Sequence, residues 1–285
     1  MVSTAALFTL SFAGHEGDAA SVSWGGTMNL GYLMIPRQCS GDAPTRDFGR
    51  LELARDLGFS EFYAVKQQDR AAGSHGLNAT PEHADALRTL PELPGAPVPQ
   101  IVSINGDRQS LGETSSPLNL ARPSMTPEQV AINARARQAT LSVSWLNKTE
   151  LARHWAAHVS GSTHAGLRAR PESWRVARTI VVCADAARAE YAVKSEDSPC
   201  RAYYAKMAAP GADRVTVDAL IDDCVLYGTL QSVLDQLQDI STASGPFGTL
   251  TLVDHAWPDS ELATESLVAL ASAIAPVMRR NCVAN

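Results

Sequence analysis

From Asn29 onward the chain alternates short apolar runs with amphipathic segments that carry their own start signals, and this alternation restricts the fold more than any other feature. A continuous apolar run suits a strand buried on both faces, and strands of that kind are joined in parallel by helices. Residues 29–35 read as a first strand, stopped by Pro36. Residues 47–57 read as a helix with Phe48, Leu51, Ala54 and Leu57 on one face, closed by Gly58. Residues 61–65 give a second strand and 98–104 a third, with a helix between them opened by Thr80 as N-cap and Pro81, whose missing N–H costs nothing at the first helical position. Thr126-Pro127-Glu128-Gln129 repeats that start, and Gln129 completes a capping box. Further on, the pattern predicts strands at 140–145, 176–183 and 247–253. Helices are predicted at 148–158, 184–191, 215–226 and 229–240, and from Ser260 to just before Pro276.

Strands alternating with helices, with no linker between two cores, predict one α/β domain over 28–285, preceded by an N-terminal extension over 1–27. A chain of 285 residues is long enough for an α/β barrel, which takes roughly 250 residues. No G-x-G-x-x-G follows the first strand, which favours the barrel over a dinucleotide-binding sheet. The expected architecture is (β/α)8, TIM-barrel-like and incomplete, with about six or seven strands, the shortage falling in the Gly-, Ser- and Pro-rich stretch between Ile104 and Thr126.

A net charge of −6 and the lack of a Lys/Arg run speak against a nucleic-acid partner. No apolar stretch reaches the roughly 18 residues of a membrane span, and no basic residue precedes the weakly apolar start, so neither a membrane partner nor a secretory leader is expected. Five cysteines without a C-x-x-C pair predict reduced thiols and a cytoplasmic location. The nucleophile elbow, the P-loop and H-E-x-x-H are all absent. His154 and His158, at i and i+4, could present two imidazoles to a metal, but no third ligand is near; they are expected on an exposed helix face, and no metal is expected. Cys183 reads as an inert buried thiol.

Three stretches in order resemble the bacterial luciferase-like flavin-dependent monooxygenases, in particular the limonene monooxygenase-like branch. They are residues 51–63 (LELARDLGFSEFY), Ala79-Thr80-Pro81-Glu82, and Tyr227-Gly228-Thr229 followed by residues 245–257 (GPFGTLTLVDHAW) with its His-x-Trp ending. The resemblance implies a barrel whose flavin and substrate sit at the carboxyl ends of the strands, where the βα loops build active sites. Members carry Glu-His-His after the second strand, where this chain has Lys66-Gln67-Gln68; glutamine can donate and accept hydrogen bonds but cannot titrate as histidine does.

Carried onto this sequence, the resemblance implies His255 and Gln67 as catalytic residues. Gln68, Asn105, Thr114, Ser115 and Ser116 are implied as cofactor contacts, the last three as a polar loop for the phosphate, and Tyr63, Trp145 and Trp257 as substrate contacts. His75 is a weaker replacement for the missing imidazole. The implied activity is oxygenation of a small, largely apolar molecule by O2 with reduced FMN from a separate flavin reductase. The alternatives are a catalytically impaired flavin- or ligand-binding member, a non-catalytic partner subunit, and a dehydrogenase using the deazaflavin F420. An incomplete barrel exposes strand edges, which predicts a homodimer.

Overall fold

Parallel pairing joins every strand to its neighbours, as the helical crossovers require. The computed structural model describes residues 28–35, 43–66, 100–103, 121–255 and 257–280. In chain order the elements are β1 (Asn29–Met34), α1 (Ala43–Asp56), β2 (Glu61–Lys66), β3 (Gln100–Ser103), β4 (Arg122–Ser124), α2 (Pro127–Arg135), β5 (Thr140–Ser142) and α3 (Lys148–His164). A short 3-10 turn (Pro171–Ser173) leads into β6 (Trp174–Val182), α4 (Ala186–Lys194), α5 (Pro199–Met207), α6 (Arg214–Cys224), β7 (Val225–Gly228), α7 (Leu230–Ser244), β8 (Thr249–Asp254) and α8 (Ser260–Arg280).

The ladder runs β3-β2-β1-β8-β6-β5-β4, and the carboxyl half of β6 also pairs with β7. Its two end strands, β3 and β4, come back within 8 Å of one another, Cα to Cα, so the sheet curls round on itself. No ladder joins them among the described residues, and the fold is the incomplete (β/α)8-type barrel that the alternation predicts. Eight strands are described rather than six or seven. The additional ones are short: β4 has three residues, and β7 has four that continue the apolar face of α6 without a break, which is why 215–226 read as one helix.

Alternation along the strands splits the core in two. Leu30, Tyr32 and Met34 pack outward with Leu51 and Ala54 of α1, Leu237 of α7 and Leu270 of α8. Leu33, Tyr63, Leu141, Ala177, Val181 and Val253 point inward from five different strands and fill the barrel. The floor of that interior is polar. Glu61 at the start of β2 takes a two-pronged ion pair from Arg175 of β6, Nε and Nη2 each at 2.7 Å, and accepts hydrogen bonds from the Tyr63 and Thr249 hydroxyls. On the outside, α2 and α3 cross so closely that a Cβ at Gly161 would lie 2.5 Å from the Ala131 carbonyl oxygen. Several predicted boundaries move: α1 starts at Ala43 rather than 47, α3 runs to His164 rather than 158, and β6 starts at Trp174 rather than 176. Helix α5, absent from the sequence reading, is opened by Ser198 and Pro199, and α8 runs on past Pro276 to Arg280. No helix among the described residues is long and apolar enough to cross a membrane.

Candidate functional site

The carboxyl end of the barrel is assembled from β6, the segments that follow β5 and β8, and helix α5. Thr179 of β6 points inward by strand alternation, and its Oγ1 lies 2.8 Å from Nε2 of His255, the residue after β8. The Tyr204 hydroxyl of α5 lies 3.4 Å from the same Oγ1 and 3.3 Å from the Ser144 carbonyl oxygen. The single Tyr204 hydrogen is shared between Ser144 and Thr179, and the Thr179 hydroxyl and Nε2 of His255 hold one hydrogen between them. Tyr203 meets Ser144 hydroxyl to hydroxyl at 3.0 Å.

Aromatic rings enclose the imidazole. The rings of Tyr203 and Trp257 meet it edge to face, with centroids at 5.0 and 5.3 Å, and Trp145 lies 6.1 Å beyond Tyr203. His255 is 2% exposed, and this desolvation lowers its pKa to about 3. It is therefore a neutral hydrogen-bonding group at physiological pH rather than one that titrates there. Burial likewise raises the Tyr203 and Tyr204 phenols above their ordinary value, so both keep their protons. Asp254, next to His255, turns to the opposite face, where it accepts from the Tyr32 hydroxyl and pairs with Arg50 Nε at 3.1 Å. On that same outer face a cavity of about 20 Å3, lined by Tyr32, Arg50 and Asp254 with Leu262 and Ser266 of α8, holds no more than a water.

Of the expected site residues, His255, Trp257 and Trp145 meet at this end of the barrel. Tyr63 does not. Its hydroxyl bonds Glu61 at the floor, and burial, with the Glu61 charge second, raises its pKa. Gln67, Gln68, Asn105, Thr114, Ser115, Ser116 and His75 lie outside the described residues. His154 and His158 are not on an exposed face but buried. His154 Nδ1 meets the Ser142 hydroxyl at 2.9 Å, and His158 Nε2 meets the Arg170 carbonyl at 3.2 Å. Among the described residues no group of three His, Cys, Asp or Glu side chains is placed to hold a metal. Cys183 is a free, buried thiol. Thr179, Ser144, Tyr203 and Tyr204 escaped the sequence reading. The one available signal was Ser198-Pro199, the same start grammar as Thr126-Pro127, opening a helix with two adjacent tyrosines.

No family model and no curated protein matches the sequence. Solved structures do match in fold. The oxygenating constituent of 3,6-diketocamphane monooxygenase from the CAM plasmid of Pseudomonas putida, a type II Baeyer-Villiger monooxygenase in complex with FMN, aligns at 14% identity. The alignment covers 88% of this chain and 98% of that one, with a TM-score of 0.60. Monooxygenase RslO1 from Streptomyces bottropensis aligns at 13% identity over 88% and 99% of the two chains, with a TM-score of 0.61. The coenzyme F420-dependent tetrahydromethanopterin reductase from Methanopyrus kandleri aligns at 10% identity over 89% and 100%, with a TM-score of 0.56. The chain thus shares its incomplete α/β-barrel fold with these three solved structures.

The side chains at the mouth suit a flavin chemically, since a neutral imidazole and aromatic walls can hydrogen-bond and stack on an uncharged ring.

Proposed function

We propose that the chain is a luciferase-like flavin-dependent monooxygenase acting on a small, largely apolar organic substrate. In the balanced reaction one atom of O2 enters the substrate, the other leaves as water, and reduced FMN returns to its oxidised form. The flavin supplies the electrons; the protein supplies position and a dry site. The observation that supports this reading is the placement of a neutral, Thr179-held imidazole among Tyr203, Trp145 and Trp257 at the carboxyl end of a curled parallel sheet. In this reading His255 and Gln67 are the catalytic residues, and Gln68, Asn105 and Thr114 to Ser116 the cofactor contacts. A separate flavin reductase delivers reduced FMN, and two copies of the chain form the working unit.

The burial of His255, which leaves its imidazole neutral and without a titration near physiological pH, favours a second reading, a family member that binds a flavin or another ligand, or partners an active subunit, without turnover. Anaerobic titration with oxidised FMN, reduced FMN and reduced F420, followed by flavin fluorescence, tests both. Binding of reduced FMN, with substrate-dependent O2 uptake once air is admitted, is the expected result. Binding without O2 uptake selects the second reading, binding of F420 alone selects a deazaflavin dehydrogenase, and binding of none overturns the flavin assignment.

A further inference from the structure

At the opposite, amino-terminal end of the strands, a groove of about 340 Å3 lies between the end of α2, the end of α3 and the turn into β6. Three guanidiniums line it, Arg137, Arg168 and Arg170, together with Ser162, Ser173 and His158, and no carboxylate does. Arg137 and Arg168 form no ion pair among the described residues. Arg170 has only a long contact to Glu172, 3.7 Å, with both side chains largely in solvent. Arginines at helix carboxyl ends commonly cap carbonyl groups, yet none of these three guanidiniums donates a hydrogen bond among the described residues. Arg137 also occupies the left-handed region, φ 56°, where a helix ending usually places glycine.

The second, independent observation is His158. It is only 2% exposed, and its ring stacks on Trp155. Its Nε2 meets the Arg170 carbonyl at 3.2 Å, which requires the proton on Nε2. Nδ1 is then a lone-pair acceptor, and it is buried without a hydrogen-bond partner. A buried acceptor in the lining of a groove that also carries two unpaired guanidiniums asks for a ligand with negative oxygens and one O–H. Carboxylate and sulfate are fully ionised near neutral pH and bring no such hydrogen. A phosphoryl group does, as hydrogen phosphate or as a singly protonated monoester.

We propose that this groove binds a phosphoryl group, with Arg137 and Arg168 pairing its anionic oxygens and His158 Nδ1 accepting its O–H. The source is either free phosphate or a small phosphate monoester. The site is separate from the mouth at His255, and its existence does not depend on the flavin reading.

Calorimetric titration of the full chain with inorganic phosphate, at ionic strength fixed with chloride, tests the proposal. One saturable site is expected, weakened about tenfold by Arg137→Gln or by Arg168→Gln and lost in the double variant. Both arginines are exposed, and circular dichroism checks that the variants keep the fold. The control Arg214→Gln, at an exposed arginine elsewhere, should bind as the parent does. The His158 imidazole nitrogen resonances should follow the same saturation curve. A flat titration up to about 10 mM phosphate, or full affinity in the double variant, overturns the proposal. Glycerol 3-phosphate separates the sources: tighter binding than inorganic phosphate assigns a monoester, and equal or weaker binding assigns the free ion.

Discussion

Asp254 and His255 are adjacent in the chain and opposite in setting, because the period of two along β8 sends one outward to Arg50 and Tyr32 and the other inward to Thr179. That inward contact is testable. Thr179→Val keeps the shape of the side chain and removes the hydroxyl from Nε2, leaving a buried nitrogen without its partner. Urea unfolding should show a loss of about 1–3 kcal/mol, and reduced-flavin affinity should fall if the mouth is the flavin site. At the floor, Glu61→Gln strips the charge that Arg175 pairs with and should cost about 3–5 kcal/mol, while Glu61→Met with Arg175→Met should recover much of it. An equal loss in the double variant would show that the pair itself, and not the stranded cation, carries the stability. His255 and Trp257 were legible because they follow an apolar run directly. Thr179 was not, since it sits inside a strand buried on both faces and breaks no pattern.

Helix starts were the most legible elements, because a cap is a local chemical device that the sequence spells out. Thr126 and Gln129 form the reciprocal box that their spacing predicts, and Asn147 with Glu150 forms another at the start of α3. Thr126→Ala should therefore lower stability by about 1 kcal/mol, read as a shift in the urea midpoint. What no local pattern shows is how closely two helices cross. The α2–α3 contact depends on Gly161, and Gly161→Val should force the helices apart at a cost of about 1–3 kcal/mol. An unchanged melting temperature in that variant would mean that the crossing relaxes freely. The same limit explains β4 and β7: strands of three or four residues are too short to show a period, and their pairing partners specify them instead.

For the molecule as a whole, burial of His154, His158 and His255 links stability to pH. Desolvation lowers all three, His154 to about 4 and His255 to about 3. In the unfolded chain each titrates near 6.5, so below that pH the unfolded state binds protons that the folded state does not, and stability rises with pH across this window. The contribution is fully present above about pH 6.5 and is withdrawn as the pH falls toward the folded values. At pH 5, His154 and His255 should each have withdrawn about 2 kcal/mol relative to pH 7. Asp213, Asp222 and Asp259 are also held low, Asp213 by hydrogen bonds from Thr216, but as carboxylates they begin to protonate below this window. Urea midpoints measured between pH 7 and pH 5 thus isolate the histidines. His255→Asn should lower stability at pH 7 and flatten the slope by about 2 kcal/mol over those two pH units. A slope unchanged in this variant would mean that His255 already takes up a proton in the folded barrel and can titrate there.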